Sequence, residues 1–143
     1  MNFDEYWENL INRVYHKREQ LNGDEDIFYR LSCIYGETMV DGIEAYFERR
    51  CDQFNADMNA LHKSGFNELV SEFEHARNLI FGSAPLNLET VEPVIRKLLN
   101  ETEESEPILK EIGKIYDRII PQLEILADYK YSFGLKKGFF NEV

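Results

Sequence analysis

An all-α fold, a single-domain bundle of about seven or eight helices, is what this sequence predicts, and three observations predict it. Apolar residues recur at steps of three and four in segment after segment, the period of a helix buried on one side. No run of useful length alternates apolar and polar residues as a half-buried strand would. Gly23, Gly65, Gly82 and Gly134 stand where apolar patterns stop, and Pro93 and Pro107 stand where others start. No repeat, low-complexity tract or interdomain linker interrupts the 143 residues, so 1–143 reads as one domain.

The first helix opens at Asn2, with Glu5 three residues on, the signature of a reciprocal cap. Phe3, Trp7, Leu10, Ile11, Val14, Tyr15 and Leu21 give its face, and Gly23 ends it. Asp24-Glu25-Asp26 opens the second, whose face is Phe28, Leu31, Ile34, Tyr35, Thr38 and Met39. Asp41 precedes a new apolar pattern with Glu44 three residues later, so a third helix is expected to be capped by Asp41. Its face is Ile43, Tyr46, Phe47 and Arg50, the Arg stem able to lie along it. Phe54, Met58 and Leu61 mark a fourth helix ended by Gly65. Phe66, Leu69, Val70, Phe73, Ala76, Arg77 and Ile80 mark a fifth ended by Gly82.

Residues 82–88 contain Pro85 and read as a loop. Thr90 is the expected cap of the next helix, with Pro93 in its first turn and Val91, Val94, Ile95, Leu98 and Leu99 inward. Residues 100–106 hold four Glu and no apolar side chain, an exposed connection. Ser105 starts a helix with Ile108, Ile112, Ile115, Tyr116 and Ile119 inward, which Pro121 is expected to break or kink. Leu123, Leu126, Ala127, Tyr129, Lys130 and Phe133 continue to Gly134, and the order of the tail from Leu135 is left open.

The formal charge of −11 argues against direct nucleic-acid binding, which needs a basic footprint. An acidic surface suits solubility, basic partners, or competition with nucleic acid for a basic protein. Cys33 and Cys51 form no disulfide framework, and no segment resembles a leader or a membrane span. A cytoplasmic protein with no membrane partner is therefore expected.

The stretch from Glu37 to Gly82 organises the chain. Glu37 lies four residues before Asp41, and its carboxylate is expected to be largely buried on the backbone amides around Val40 to Gly42, with a solvated helix-end residue as the alternative. Gly42 points to tight packing or an unusual dihedral. Glu37, Gly42, Tyr46 and Phe47 match in place the pattern of a family of small all-helical bacterial proteins catalogued as a domain of unknown function. That pattern is a Glu, a short gap, Asn-Gly-Gly-Phe, then Gln and two aromatics. Here Val40 and Asp41 replace the Asn and first Gly, Ile43 the Phe, and Ala45 the Gln. Ala60-Leu61, Gly65-Phe66, Ala76 and Phe81-Gly82 follow the family's rhythm, and the likeness covers about residues 25–133. A characterised branch of the family is regarded as a DNA mimic. The resemblance implies an all-helical fold and a basic DNA-binding regulator as partner.

The residues carry no catalytic signature. Glu72 and His75 have the Glu-x-x-His spacing of dimetal helical bundles, but no second such pair completes a site. No cofactor is expected, and a non-enzymatic role is preferred to a carboxylate-based or metal-dependent enzyme. Residues 31–75 hold nine acidic and three basic side chains, whereas 111–143 hold five of each. Asp41, Glu44, Glu48 and Asp52 fall on one stripe at helical steps, and Glu68 and Glu72 on a second. These six are the candidate partner-binding residues, with a solvated outer face as the alternative. DNA mimicry would need the stripes side by side, since a phosphate recurs about every 3.4 Å along one DNA strand and one helical turn rises about 5.4 Å. The function expected is an acidic protein-binding domain for a basic protein, with a toxin-neutralising immunity role as a further alternative and a homodimer left open.

Overall fold

The computed structural model describes residues 1–142. It is all-helical: α1 (Phe3–Ile11), α2 (Gly23–Asp41), α3 (Ile43–Arg50), α4 (Phe54–Lys63), α5 (Asn67–Phe81), α6 (Leu88–Leu99) and α7 (Glu106–Lys136). A π-helical turn, Asn12–His16, prolongs α1, and a 3₁₀ turn, Cys51–Gln53, joins α3 to α4. Among the described residues this makes six continuous helical runs, fewer than the seven or eight expected.

Two physical reasons account for the difference. The chain from α3 to α4 tightens by one 3₁₀ turn instead of looping out. Pro121 also fails to divide the last helix. It sits on the exposed side of α7, and Ile119 and Leu123 on either side of it are buried. The single backbone bond it removes, to the Asp117 carbonyl, is outweighed by that burial.

Several helix starts differ from the sequence reading. α1 begins as expected, with the Glu5 amide donating to Asn2 Oδ1 at 2.9 Å and the Glu5 side chain reaching back to the Asn2 amide. Asp41, expected to cap α3, is the last residue of α2. The cap position belongs to Gly42, whose φ of +95° only glycine adopts without strain. The Gly42 amide still closes the α2 ladder on the Thr38 carbonyl at 2.9 Å, so the chain turns without losing that bond. α6 is capped by Asn87, not Thr90: its side chain accepts from the Thr90 amide at 3.0 Å. Pro93 consequently lies beyond the first turn of α6.

α7 is the axis of the assembly. It packs on α2, α5 and α6, while α3 fills the space between α2 and α6 and α4 bridges α2 and α5. The main core lies between these helices, with Tyr46, Phe47, Phe73, Leu61, Leu69, Val91, Ile115 and Leu123 at its centre. Tyr46 and Phe47 are wholly buried, with their rings against Phe73 at 5.0 Å and Phe81 at 5.3 Å.

A second, smaller core of Tyr6, Leu10, Phe28, Tyr29 and Phe140 joins α1 to the start of α2 and the end of the chain. After α7 the chain turns at Gly138 and seats Phe140 against Gly134, where the Asn141 amide donates to the Met1 carbonyl at 2.8 Å. The acids of the first turn of α2 each hold a base: Asp24 takes Lys137, Glu25 takes Arg13, and Asp26 takes Arg30. Arg13 holds the Glu25 carboxyl below its usual range against the opposing effect of burial. Lys130 is buried between the two cores, over the rings of Phe3, Tyr35 and Phe28 at 5.1–5.9 Å. Burial lowers its tendency to carry charge.

Candidate functional site

The most heavily bonded buried side chain among the described residues is Asp57 of α4, which is fully buried. It occupies the apolar register of Phe54, Met58 and Leu61, so helix geometry drives it inward. Its Oδ2 accepts from Tyr46 Oη at 2.8 Å and from Arg50 Nε at 2.8 Å. Its Oδ1 accepts from Arg50 Nη2 at 2.7 Å and Arg30 Nη1 at 3.1 Å. Arg30 also reaches Asp26 and Gln53.

Burial pushes the Tyr46 hydroxyl well above its ordinary range, and Asp57 beside it adds to the shift, so Tyr46 remains a neutral donor. Burial works against the charge of Arg50, but its bonds to Asp57 prevail and the guanidinium holds its proton more firmly than usual. A carboxylate that accepts four hydrogen bonds has no vacant lone pair for a proton or a metal. Asp57 is therefore a structural tie among α2, α3 and α4, not an acid–base group. Sequence reasoning missed it. The available signal was a carboxylate at an apolar position seven residues after an arginine at another.

The six acidic candidates and the motif residues separate into three settings. At the α2–α3 junction, Glu37 and Asp41 both accept from Arg49 Nη1, Asp41 at 2.6 Å. Glu37 is thus a partly exposed ion-pair partner and not a buried acceptor of the Val40–Gly42 amides. The reason is reach. The Gly42 amide is already bonded to Thr38, and Arg49 lies one turn of α3 past Ala45, over the α2 surface.

Beside this junction a cleft of about 340 Å³ is lined by Val40, Asp41, Gly42, Ile43, Glu44 and the Leu109–Tyr116 side of α7. Ile43 is buried at its base. Glu44 folds back so that Oε2 stands 3.0 Å from where a Gly42 Cβ would lie. Glu44, Glu48 and Asp52 have no ion pair among the described residues, and Glu48 and Asp52 are exposed. The expected four-residue stripe is nevertheless interrupted. Gly42 breaks the helix between Asp41 and Glu44, and the 3₁₀ turn changes the step before Asp52. Only Glu44 and Glu48 share one face of one helix.

The second stripe lies elsewhere. Glu72 accepts from Arg118 Nε at 2.7 Å, and Glu68 is exposed on the same groove, with Ser71 and Gln122. Arg118 and Gln122 project from the side of α7 opposite Leu109, Gly113 and Tyr116, at about 3.6 residues per turn. The two stripes therefore stand on opposite flanks of α7 and do not merge. Glu72 engages Arg118, while His75 is exposed. No three His, Cys, Asp or Glu side chains converge as a metal site among the described residues. Burial raises the pKa of both the Cys33 and Cys51 thiols, which suppresses the thiolate needed for nucleophilic chemistry. No helix among the described residues is long and apolar enough to cross a membrane.

Comparison with protein-family models, curated proteins and solved structures finds no match to this chain.

Proposed function

We propose that this protein is a non-enzymatic, acidic protein-binding domain whose partner is a basic protein. The observation that carries the reading is the unequal pairing of its carboxylates. Glu37, Asp41 and Glu72 are engaged by Arg49 and Arg118, whereas Glu44, Glu48 and Asp52 lie in succession along α3 and the following turn without a base. Glu44 and Glu48 are about 6 Å apart along the helix axis. Uncompensated charge of this kind attracts a basic surface over long range and is screened by salt.

The resemblance at residues 37–47 supports a DNA-binding regulator as the class of partner, and competition with DNA for that regulator as the mode of action. A mimic in the strict sense would need parallel stripes. Since the α5 stripe faces the other flank of α7, the reading rests on the α3 face alone. Neutralisation of a basic toxin is the same chemistry with another partner. The enzymatic alternative finds no comparable support, because Glu72 is turned to Arg118.

The test is binding to a partner captured from the native host, measured by calorimetry at two ionic strengths. Glu44→Lys/Glu48→Lys/Asp52→Lys should weaken binding at least about tenfold, and rising salt should do the same to the parent. Glu124→Lys/Asp128→Lys, a turn apart on exposed α7, should change it less than about twofold. Equal loss in both variants would show that only total acidity matters and would reject a local face.

A further inference from the structure

At the corner where α6 turns into α7, an apolar groove of about 260 Å³ is open to solvent. Ile80 of α5, Val94 and Leu98 of α6, and Ile108 of α7 give it its apolar lining, with Lys97 and Glu104 at its edge. Val94 and Ile108 are only half-buried. Such a surface lowers its free energy when covered. The connection that closes the corner carries Glu101, Glu103, Glu104 and Glu106 with no basic residue between them. All four are exposed, and the nearest ion pair is a loose 3.8 Å contact between Glu104 and Lys97, both about three-quarters or more exposed. Thr102 and Ser105 bond to each other, which leaves the loosely paired Lys97 and Glu104 as the polar groups of the lining free to meet an occupant.

We propose that this groove is the anchor site of the basic partner, and that it takes an amphipathic helix presenting a large apolar side chain flanked by Lys or Arg. The inference rests on the acidic-domain reading above and adds a second contact surface to it. The net charge beside the groove, four carboxylates of the connection against Lys97, selects the occupant. A second copy of this chain brings its own −11 and is repelled. An anionic lipid surface and a nucleic acid are repelled for the same reason. A basic helix gains twice, from the carboxylate rim and from its buried anchor, which is how helices dock into grooves. The volume suits it: an engineered cavity of about 150 Å³ holds benzene, so this groove has room for a phenyl or leucyl side chain and adjoining methylenes.

The test uses a fluorescently labelled synthetic peptide of about five helical turns, with Leu at i, i+3, i+4 and i+7 positions and Lys elsewhere. Two control peptides replace all Leu by Ser or all Lys by Glu. The first peptide should bind the full chain in an anisotropy titration at low salt, and each control should bind at least about tenfold more weakly. Val94→Lys should weaken the complex by a similar factor. Glu103→Gln/Glu106→Gln, which disturbs no packing, should weaken it about threefold or more and flatten its salt dependence. Glu44→Lys/Glu48→Lys should leave it within about twofold.

Absence of peptide binding, or unchanged binding by both the Val94 and the Glu103/Glu106 variants, overturns the groove inference. Loss confined to the Glu44/Glu48 variant also overturns it while leaving the acidic-domain reading intact. That reading fails separately, if the captured host partner binds without regard to salt.

Discussion

The main core closes around side chains contributed by α2 through α7, whereas the corner where α1 meets the end of α7 closes around rings from the two ends of the described chain. In the main core, helices pack on more than one neighbour, and Asp57 ties three of them from inside. At the corner, the only such tie among the described residues is the part-buried Glu25 of α2, which accepts from Tyr6 Oη at 2.6 Å and from Arg13, and it joins two elements, not three. α1 is otherwise held by ring pairs such as Tyr6–Phe139 at 5.4 Å and Phe3–Phe140 at 5.3 Å. A fully buried charge that ties three helices couples them to one another, while ring contacts and one part-buried carboxylate hold a single element that can leave without the rest. The corner should therefore open before the core does.

The largest effect should come from Asp57→Ala. It strands Arg50 in the core without its partner, at a cost of about 3–5 kcal/mol, and should unfold the main core as one unit. The loss of core helicity, followed by far-UV circular dichroism, should then occur in one step at a lowered melting temperature. Two separate transitions would show that the core is less coupled than Asp57 implies.

Phe140→Ala sharpens the contrast from the other side. Loss of a buried ring costs about 3 kcal/mol locally. Here it should shift Trp7 emission to the red at temperatures where helicity is nearly complete. Coincident transitions would remove the distinction between the two regions.

A smaller pair of effects opposes one substitution to itself on a single helix. A Cβ at Gly134 would stand 2.5 Å from the Phe140 ring and 3.1 Å from Phe28, whereas one at Gly113 meets nothing within 4 Å. Gly134→Ala should destabilise the corner by about 1–3 kcal/mol through overpacking. Gly113→Ala should stabilise the protein by about 0.5–1 kcal/mol, because alanine favours the helix and nothing obstructs it. Thermal melts of the two variants should move in opposite directions.

The smallest effect belongs to Glu37→Ala. Its partner Arg49 is half-exposed and keeps Asp41, so the loss should be below about 1 kcal/mol. A drop as large as that of Asp57→Ala would mean that Glu37 serves the junction more directly than its contacts indicate.

The helical class and most of the buried faces could be read from periodicity, because burial on one side of a helix imposes a spacing on the residues. The Asn2–Glu5 cap was equally readable, since both partners lie within one turn. Pro121 misled because local chemistry predicts a break, whereas packing on both sides of that residue outweighs one absent hydrogen bond. Asp41 misled because a cap signature cannot show that the preceding helix uses the same residue. The stripes of acidic residues were visible as spacing, but their bases come from other helices: Arg118 lies 46 residues from Glu72, and Arg49 lies 8 from Asp41. The apolar groove could not be seen at all, since α5, α6 and α7 each give it only one or two apolar residues.

The Asp57 tie also constrains how this chain can change. Asp57 replaced alone leaves Arg50 without its partner in the interior, and Arg50 replaced alone leaves Asp57 with only the longer of its arginine contacts, to Arg30, whereas joint replacement by apolar residues of similar volume is often close to neutral. Substitutions at these positions are therefore expected to arrive together, and Tyr46, which donates to the same carboxylate, should change with them. Among chains of common descent these four sites should covary as one block while the acidic surface drifts freely. Tyr-x3-Arg-x6-Asp, preceded by an arginine sixteen residues before the tyrosine, is then a spacing by which a distant relative can be recognised after the rest of the sequence has diverged.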